Sequence, residues 1–230
     1  MKMTIKEAFF MVDALRDASP ATHARLLGCA SLKEFGRRQV ILHEKQEQSS
    51  VYMLADGAVS VYKTSAGGEK KILMLLRAGA VINGGALSVD LSDAGCETLK
   101  ESFVLCIPVQ DFLRAMSEDF PLVRAVLDAA NSKISRLQRH LKNTPNSVVG
   151  EKKLAAKLYK LAVDFGVNGA YGTTIDLDLS VTYLADMLGQ KRETVSRQLK
   201  VLRENGFVKS AGQAFVIPDM DRLSDFFHGS

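Results

Sequence analysis

Residues 180–208 read SVTYLADMLGQKRETVSRQLKVLRENGFV, and the spacing within this stretch decides what the C-terminal part of the chain is. The Ser180 hydroxyl is suited to capping the free amides of a helix start, and Leu184, Ala185 and Leu188 give that helix an apolar inner face. Ala185 is small where a second helix would cross. Gly189, four residues later, can take the positive φ of a tight turn. Val195, Leu199 and Leu202 supply the buried stripe of the second helix, and Asn205-Gly206 closes it with a left-handed cap. Small residue, glycine and apolar anchors at these separations meet the steric requirements of a helix-turn-helix.

The outward face of the second helix carries the chemistry. Arg192, Glu193, Ser196 and Arg197 lie about one turn apart at its N-terminal end, the end that such motifs insert into the major groove of DNA. Arginine donates twice to guanine N7 and O6, and glutamate accepts from cytosine N4, so Glu193 and Arg197 suit adjacent base edges. Lys191, Thr194 and Lys200 suit phosphate contact and positioning. Beyond the cap, residues 207–209 and 214–217 flank Ala211-Gly212-Gln213 as a hairpin of the kind called a wing. Residues 221–227 read as a terminal helix.

Working back from this motif, residues 153–165 form a helix with Leu154, Leu158 and Leu161 on one face. Residues 166–172 read as a loop and residues 174–179 as a short strand. The segment Asn143-Thr144-Pro145-Asn146 breaks a long preceding helix, because proline lacks the backbone donor, and the domain hinge is placed at residues 143–147. In that long helix an apolar seam runs through Val123, Leu127, Ala130, Ile134, Leu137 and Leu141. Its alternating spacing of four and three is that of a coiled coil, so the helix is suited to pairing with its own copy. Pro121 fits the first turn.

The first 120 residues change period. Residues 6–16 and a stretch through Leu26 and Leu27 read as short helices. From Leu32 short β-like runs follow at residues 39–43, 51–54, 58–63, 71–76 and 103–107, separated by Asp56-Gly57, Gly67-Gly68, Gly79 and Gly84-Gly85. This favours an antiparallel β-roll or barrel. The fold class is therefore α+β: a β-roll over residues 1–120, a dimerisation helix over 121–143, and a winged helix-turn-helix domain over 147–230.

Composition bounds the function classes. At 230 residues and 47% hydrophobic content there is material for a packed core, and no apolar run is long enough to span a membrane, so a soluble cytoplasmic protein is expected. The net charge of +4 is local: Lys191, Arg192, Arg197, Lys200 and Arg203 fall within thirteen residues against Glu193 alone. Cys29, Cys96 and Cys106 form neither a CxxC pair nor a zinc pattern. No Walker loop, dinucleotide fingerprint, HExxH or GxSxG is present, which argues against an enzyme.

With these parts in place, the chain resembles the CRP/FNR family of transcription regulators, named for the cyclic-AMP receptor protein and the fumarate and nitrate reduction regulator. Residues 184–208 match the family signature, including Arg192-Glu193-Thr194-Val195-Ser196-Arg197, and the order of β-roll, dimer helix, hinge and winged helix-turn-helix matches over nearly the whole chain. The resemblance implies a homodimer on palindromic double-stranded DNA with a TGTGA-like half-site read by Glu193 and Arg197. It further implies Arg192 assisting, Ser196 near a thymine, RNA polymerase as a partner, and allosteric control by a small-molecule effector. Lys191 departs from the family, which often places a capping Ser or Thr there.

The sensor half departs further. The pocket segment of cyclic-nucleotide members corresponds here to Asn83, Gly84, Gly85, Ala86 and Leu87, and residues 83–96 contain no arginine, lysine or glutamate. A buried cyclic phosphate needs a charge-assisted partner, so cAMP is not expected unless a basic residue such as Lys100 or Arg139 reaches in. Three cysteines cannot make the four-thiolate cluster of the FNR branch. Haem, with His23, His43, His140 or His228 as candidate ligand, stays open, as does a ligand-binding protein whose helix-turn-helix serves as an interaction module. Redox sensing by Cys96 or Cys106 is disfavoured by apolar surroundings. No metal is expected.

Overall fold

The computed structural model describes residues 3–142, 150–211 and 214–229. The hinge at residues 143–147 and the side chains of Arg139, His140 and Leu141 lie outside the described residues. The chain divides into two compact units, Met1–Leu141 and Lys142–Ser230, so the long helix counts with the first.

The first unit opens with α1 (Ile5–Met11), α2 (Asp13–Arg16) and α3 (Pro20–Cys29). Thr4 and Glu7 form a reciprocal capping box at the start of α1. The single helix expected over residues 6–16 is two, because Val12 is extended and the Asp13 amide donates to the Gly79 carbonyl at 3.1 Å. This tertiary bond overrides local helical periodicity.

Seven antiparallel strands follow: β1 (Ser31–Phe35), β2 (Val40–Leu42), β3 (Ser50–Asp56), β4 (Ala58–Thr64), β5 (Lys70–Arg77), β6 (Gly95–Thr98) and β7 (Ser102–Pro108). They form one sheet in the order β1-β7-β3 and another in the order β2-β6-β4-β5. Alternation along β3 and β7 explains the layering. Val51, Met53, Ala55, Leu105 and Ile107 face the helices, while Leu54, Val104 and Cys106 meet Leu42, Val59, Leu76 and Cys96 inside the roll. Strand β6 was not foreseen: Gly95 is required because a Cβ there would sit 2.5 Å from the Tyr62 ring.

After β7 come α4 (Val109–Glu118) and the 23-residue α5 (Phe120–Lys142). Their junction is pinned by Asp119, which is 4% exposed. Its Oδ1 accepts from the Leu122 amide at 3.1 Å and its Oδ2 from the Ser19 amide at 2.8 Å, so one carboxylate caps α5 and holds the start of α3. Arg25 and Glu118 pair alongside at 2.8 Å.

The second unit holds α6 (Glu151–Phe165), β8 (Gly166–Gly169), β9 (Gly172–Ile175), α7 (Val181–Leu188), α8 (Arg192–Glu204), β10 (Lys209–Ala211), β11 (Ala214–Ile217) and α9 (Met220–His228). Its sheet runs β10-β11-β9-β8. Residues 166–172, read from sequence as a loop, are instead a hairpin strand and its turn, with Gly169 paired to Gly172. The expected strand over 174–179 ends at Ile175.

Burial alone would raise the Asp119 pKa, but hydrogen bonds from Thr22, Ser19 and the Leu122 amide outweigh it and hold the carboxyl well below the usual range. A depressed folded-state pKa stabilises the protein above the unfolded value of about 4, and that contribution is lost as pH falls below it. Asp119→Ala is expected to cost about 2 kcal/mol at neutral pH. Urea denaturation should show this loss, and the variant should be less sensitive than the parent to acidification from neutral pH.

Candidate nucleic-acid interface

The geometry of the helix pair follows from three local features. The Ser180 hydroxyl accepts from the Tyr183 amide at 3.1 Å and starts α7. Gly189 ends it in the left-handed region at φ 63° and ψ 40°. A Cβ at Gly189 would meet nothing within 4 Å, so the backbone angle and not crowding selects glycine. Helix α8 then buries Val195, Leu199 and Leu202 completely or nearly so. It closes with a full Schellman arrangement, in which Phe207 N donates to Leu202 O at 2.9 Å and Gly206 N to Arg203 O at 3.0 Å. Arg222 on α9 locks this cap, donating to the Asn205 carbonyl at 3.1 Å while stacking over Phe207.

Burying that stripe turns the polar residues outward. Lys191, Arg192, Glu193, Ser196, Arg197 and Lys200 are all exposed. Thr194 is half-buried, and its amide bonds back to Lys191 O at 3.0 Å. Among the described residues, Lys191, Arg192, Glu193 and Arg197 enter no ion pair, and Lys200 has only a long contact of 3.7 Å to Glu204. Lys191 occupies the cap position of α8 with extended backbone and no side-chain cap bond. The first turn therefore presents unsatisfied amides together with free cationic side chains. Such a surface can donate to phosphates and to base edges at once.

The wing register is Lys209↔Val216, Ser210↔Phe215 and Ala211↔Ala214, with its tip, residues 212–213, outside the described residues. The wing starts two residues later than expected, at Lys209, because Phe207 is taken up by the cap and packs on Phe226 at 4.5 Å.

The seam residues are also placed. On α5, Leu127, Ile134 and Leu137 are exposed at 57%, 52% and 37%, Ala130 is exposed and Val123 is half-buried. Leu127 and Ile134 are thus more than half exposed, and Leu137 a little over a third.

The segment expected to wall an effector site is bound into the fold. Gly84–Leu87 forms a 3-10 turn with Ala86 in the core. The Asn83 side chain accepts from Tyr52 N at 2.7 Å and donates to Gln48 Oε1 and Ser50 O, so its amide is spent on the fold. His23 bonds Leu15 O at 2.8 Å between the rings of Phe9 and Phe10, His228 bonds within α9, and His43 lies exposed. Burial pushes the Cys96 thiol up to about 12 and raises that of Cys106, so neither is disposed to thiolate chemistry. One basic group that sequence reasoning missed does reach the roll: Lys133 on α5 donates to the Ile82 carbonyl at 3.1 Å.

Comparison with known proteins places these parts. A model of the Crp-like helix-turn-helix domain matches residues 152–226, and one of the cyclic nucleotide-binding domain matches residues 32–119. A global nitrogen regulator of Nostoc sp. is 30% identical over 182 residues, covering 77% of this chain and 80% of that protein. The corresponding regulator of Synechococcus elongatus is 29% identical over 182 residues, with coverage of 77% and 81%. Among solved structures, FixK2 from Bradyrhizobium japonicum shares the fold at a TM-score of 0.72 and 22% identity, covering 85% of this chain and 96% of that one.

Alanine at Gly189 must adopt a left-handed conformation without steric contact. Gly189→Ala is therefore expected to cost about 1 kcal/mol, and Gly189→Asn less. Thermal denaturation of the two variants checks both the size and the order.

Proposed function

The chain belongs to the CRP/FNR family of transcription regulators, and from that footing we propose that it binds palindromic DNA as an effector-controlled homodimer. The observation that carries the reading is the unpaired, outward set Arg192, Glu193 and Arg197 at the N-terminal end of α8. Arg197 and Glu193 read guanine and cytosine edges, Arg192 assists and Ser196 contacts a thymine. Lys191, Lys200 and Thr194 fix the helix on the backbone, with Thr194 the weakest of the three because it is half-buried.

Two reading heads need a dimer. The exposed apolar side chains of Leu127, Ile134 and Leu137 support pairing of α5 with a second copy, with Val123, Ala130 and Leu141 completing the seam. Pairing sets the heads about 34 Å apart, one turn of DNA. The roll is read as the effector domain and the segment Asn83, Gly84, Gly85, Ala86 and Leu87 as its wall. Cyclic AMP fits poorly, since residues 83–96 offer no cation to a phosphate and Asn83 is already committed. The protein acts in the cytoplasm, with RNA polymerase as its partner at promoters and no catalytic step of its own. No helix among the described residues is long and apolar enough to cross a membrane.

Electrophoretic shifts on TGTGA-type inverted repeats test this. Arg197→Ala should lose about 1 to 3 kcal/mol and relax preference at the guanine, whereas Lys200→Ala should weaken all duplexes alike and flatten the salt dependence. An unchanged base preference in Arg197→Ala refutes the assignment. Ile134→Glu should yield monomers in sedimentation and lose cooperative binding to the full repeat.

A further inference from the structure

Helix α8 is held differently at its two ends. At the N-terminal end Lys191 supplies no side-chain cap, so the turn that carries Arg192, Glu193 and Arg197 starts with free amides. The C-terminal end is closed. The carbonyls of Val201, Leu202 and Arg203 accept from the amides of Asn205, Phe207 and Gly206, and the Asn205 carbonyl accepts from Arg222 at 3.1 Å. Buried Val195, Leu199 and Leu202 hold the middle, but apolar burial is non-directional and fixes the depth of a helix more than its roll or tilt.

The directional part of the fastening comes from one face of α9. Arg222 and Phe226 lie one helical turn apart, and both act on the α8 cap. The Arg222 guanidinium lies 4.9 Å from the centre of the Phe207 ring, and the Phe226 ring packs on that same ring at 4.5 Å. Helix α9 has its own anchorage elsewhere. Asp219 caps its start, accepting from the Arg222 amide at 2.9 Å, Leu223 is fully buried, and Phe227 packs edge-on against Tyr159 of α6 at 5.4 Å. An anchored helix thus delivers one charge-assisted hydrogen bond and one ring contact to the last turn of α8.

We propose that Arg222 and Phe226 are positioning residues for base recognition: through the cap they fix the roll and tilt of α8, and with them the aim of Glu193 and Arg197. The inference rests on reading α8 as the helix that enters the major groove. Its thirteen residues span about 20 Å, so a tilt of about 3° at the cap moves the far end by about 1 Å. Contacts to a base edge hold only within about 0.5 Å of their productive geometry. Lysine contacts to phosphates are more forgiving, because a point charge on a flexible stem follows the DNA backbone. Loss of the clasp therefore removes discrimination between sequences and leaves attachment to the backbone.

The test uses the full-length protein and two duplexes of equal length, the sequence that the parent selects from a random pool and a scrambled version of it, with affinities read by fluorescence anisotropy over a range of salt. Arg222→Ala and Phe226→Ala should each lower the ratio of target to scrambled affinity about tenfold, the worth of one base contact. Affinity for the scrambled duplex should stay within about twofold of the parent, with an unchanged salt slope. Phe226→Tyr should keep the parent's ratio, and Arg222→Lys, which retains a cationic donor without the planar stack, should fall between parent and Arg222→Ala. Circular dichroism at the assay temperature checks that each variant is folded; Phe226→Leu, which keeps apolar volume and loses the ring, replaces Phe226→Ala where that variant does not fold. The proposal is overturned if the alanine variants keep the parent's ratio, if both duplexes weaken alike, or if Phe226→Tyr behaves as Phe226→Ala does. A parent that selects no sequence refutes the reading of α8 itself, and this shows before any variant is compared.

Discussion

The arrangement rests on the burial of one side of α8. Val195, Leu199 and Leu202 can leave water only if the chain reverses tightly after α7, and Gly189 at φ 63° provides the reversal. Once that stripe is inside, helical geometry leaves no freedom for Arg192, Glu193, Ser196 and Arg197, which must face solvent together. The shared outward orientation of these polar residues is a consequence of apolar packing, with the Schellman cap and Arg222 fixing where the helix ends.

The same logic of two faces runs through the first unit. Strands β3 and β7 bury side chains on both sides, one set against helices and the other inside the roll. Helix α5 is asymmetric in another way: its outward row of Leu127, Ile134 and Leu137 is apolar and partly exposed, and its inward row ends in the half-buried Lys133 and Arg136. Asp119 fastens the base of this helix to the start of α3.

The helix-turn-helix was readable from residues alone because its constraints are local: a cap, a small residue, a glycine and an apolar period. The roll was readable as a class, since the strand runs and their glycine punctuation have a period of two. What escaped depended on distant contacts. The break at Val12 comes from Gly79, β6 exists where Gly95 lies beneath Tyr62, and the glycine-rich β8 has no side-chain alternation to betray it. Lys133 escaped for a related reason. On an isolated helix it adjoins Ile134 in a charged and apolar mixture, and only the packed roll shows that it points inward. The segment at residues 83–87 stands out in the sequence only through the family resemblance, and the commitment of Asn83 to Tyr52, Gln48 and Ser50 could not be read there.

The central claim is that two identical heads, held by paired α5 helices, read DNA through the N-terminal end of α8. Selection of duplexes from a random pool by the purified protein, followed by sequencing, tests it most directly. The account predicts enrichment of an inverted repeat with guanine in each arm and arm centres about one helical turn apart. A bound pool that stays random, or converges on a single unrepeated element, contradicts it.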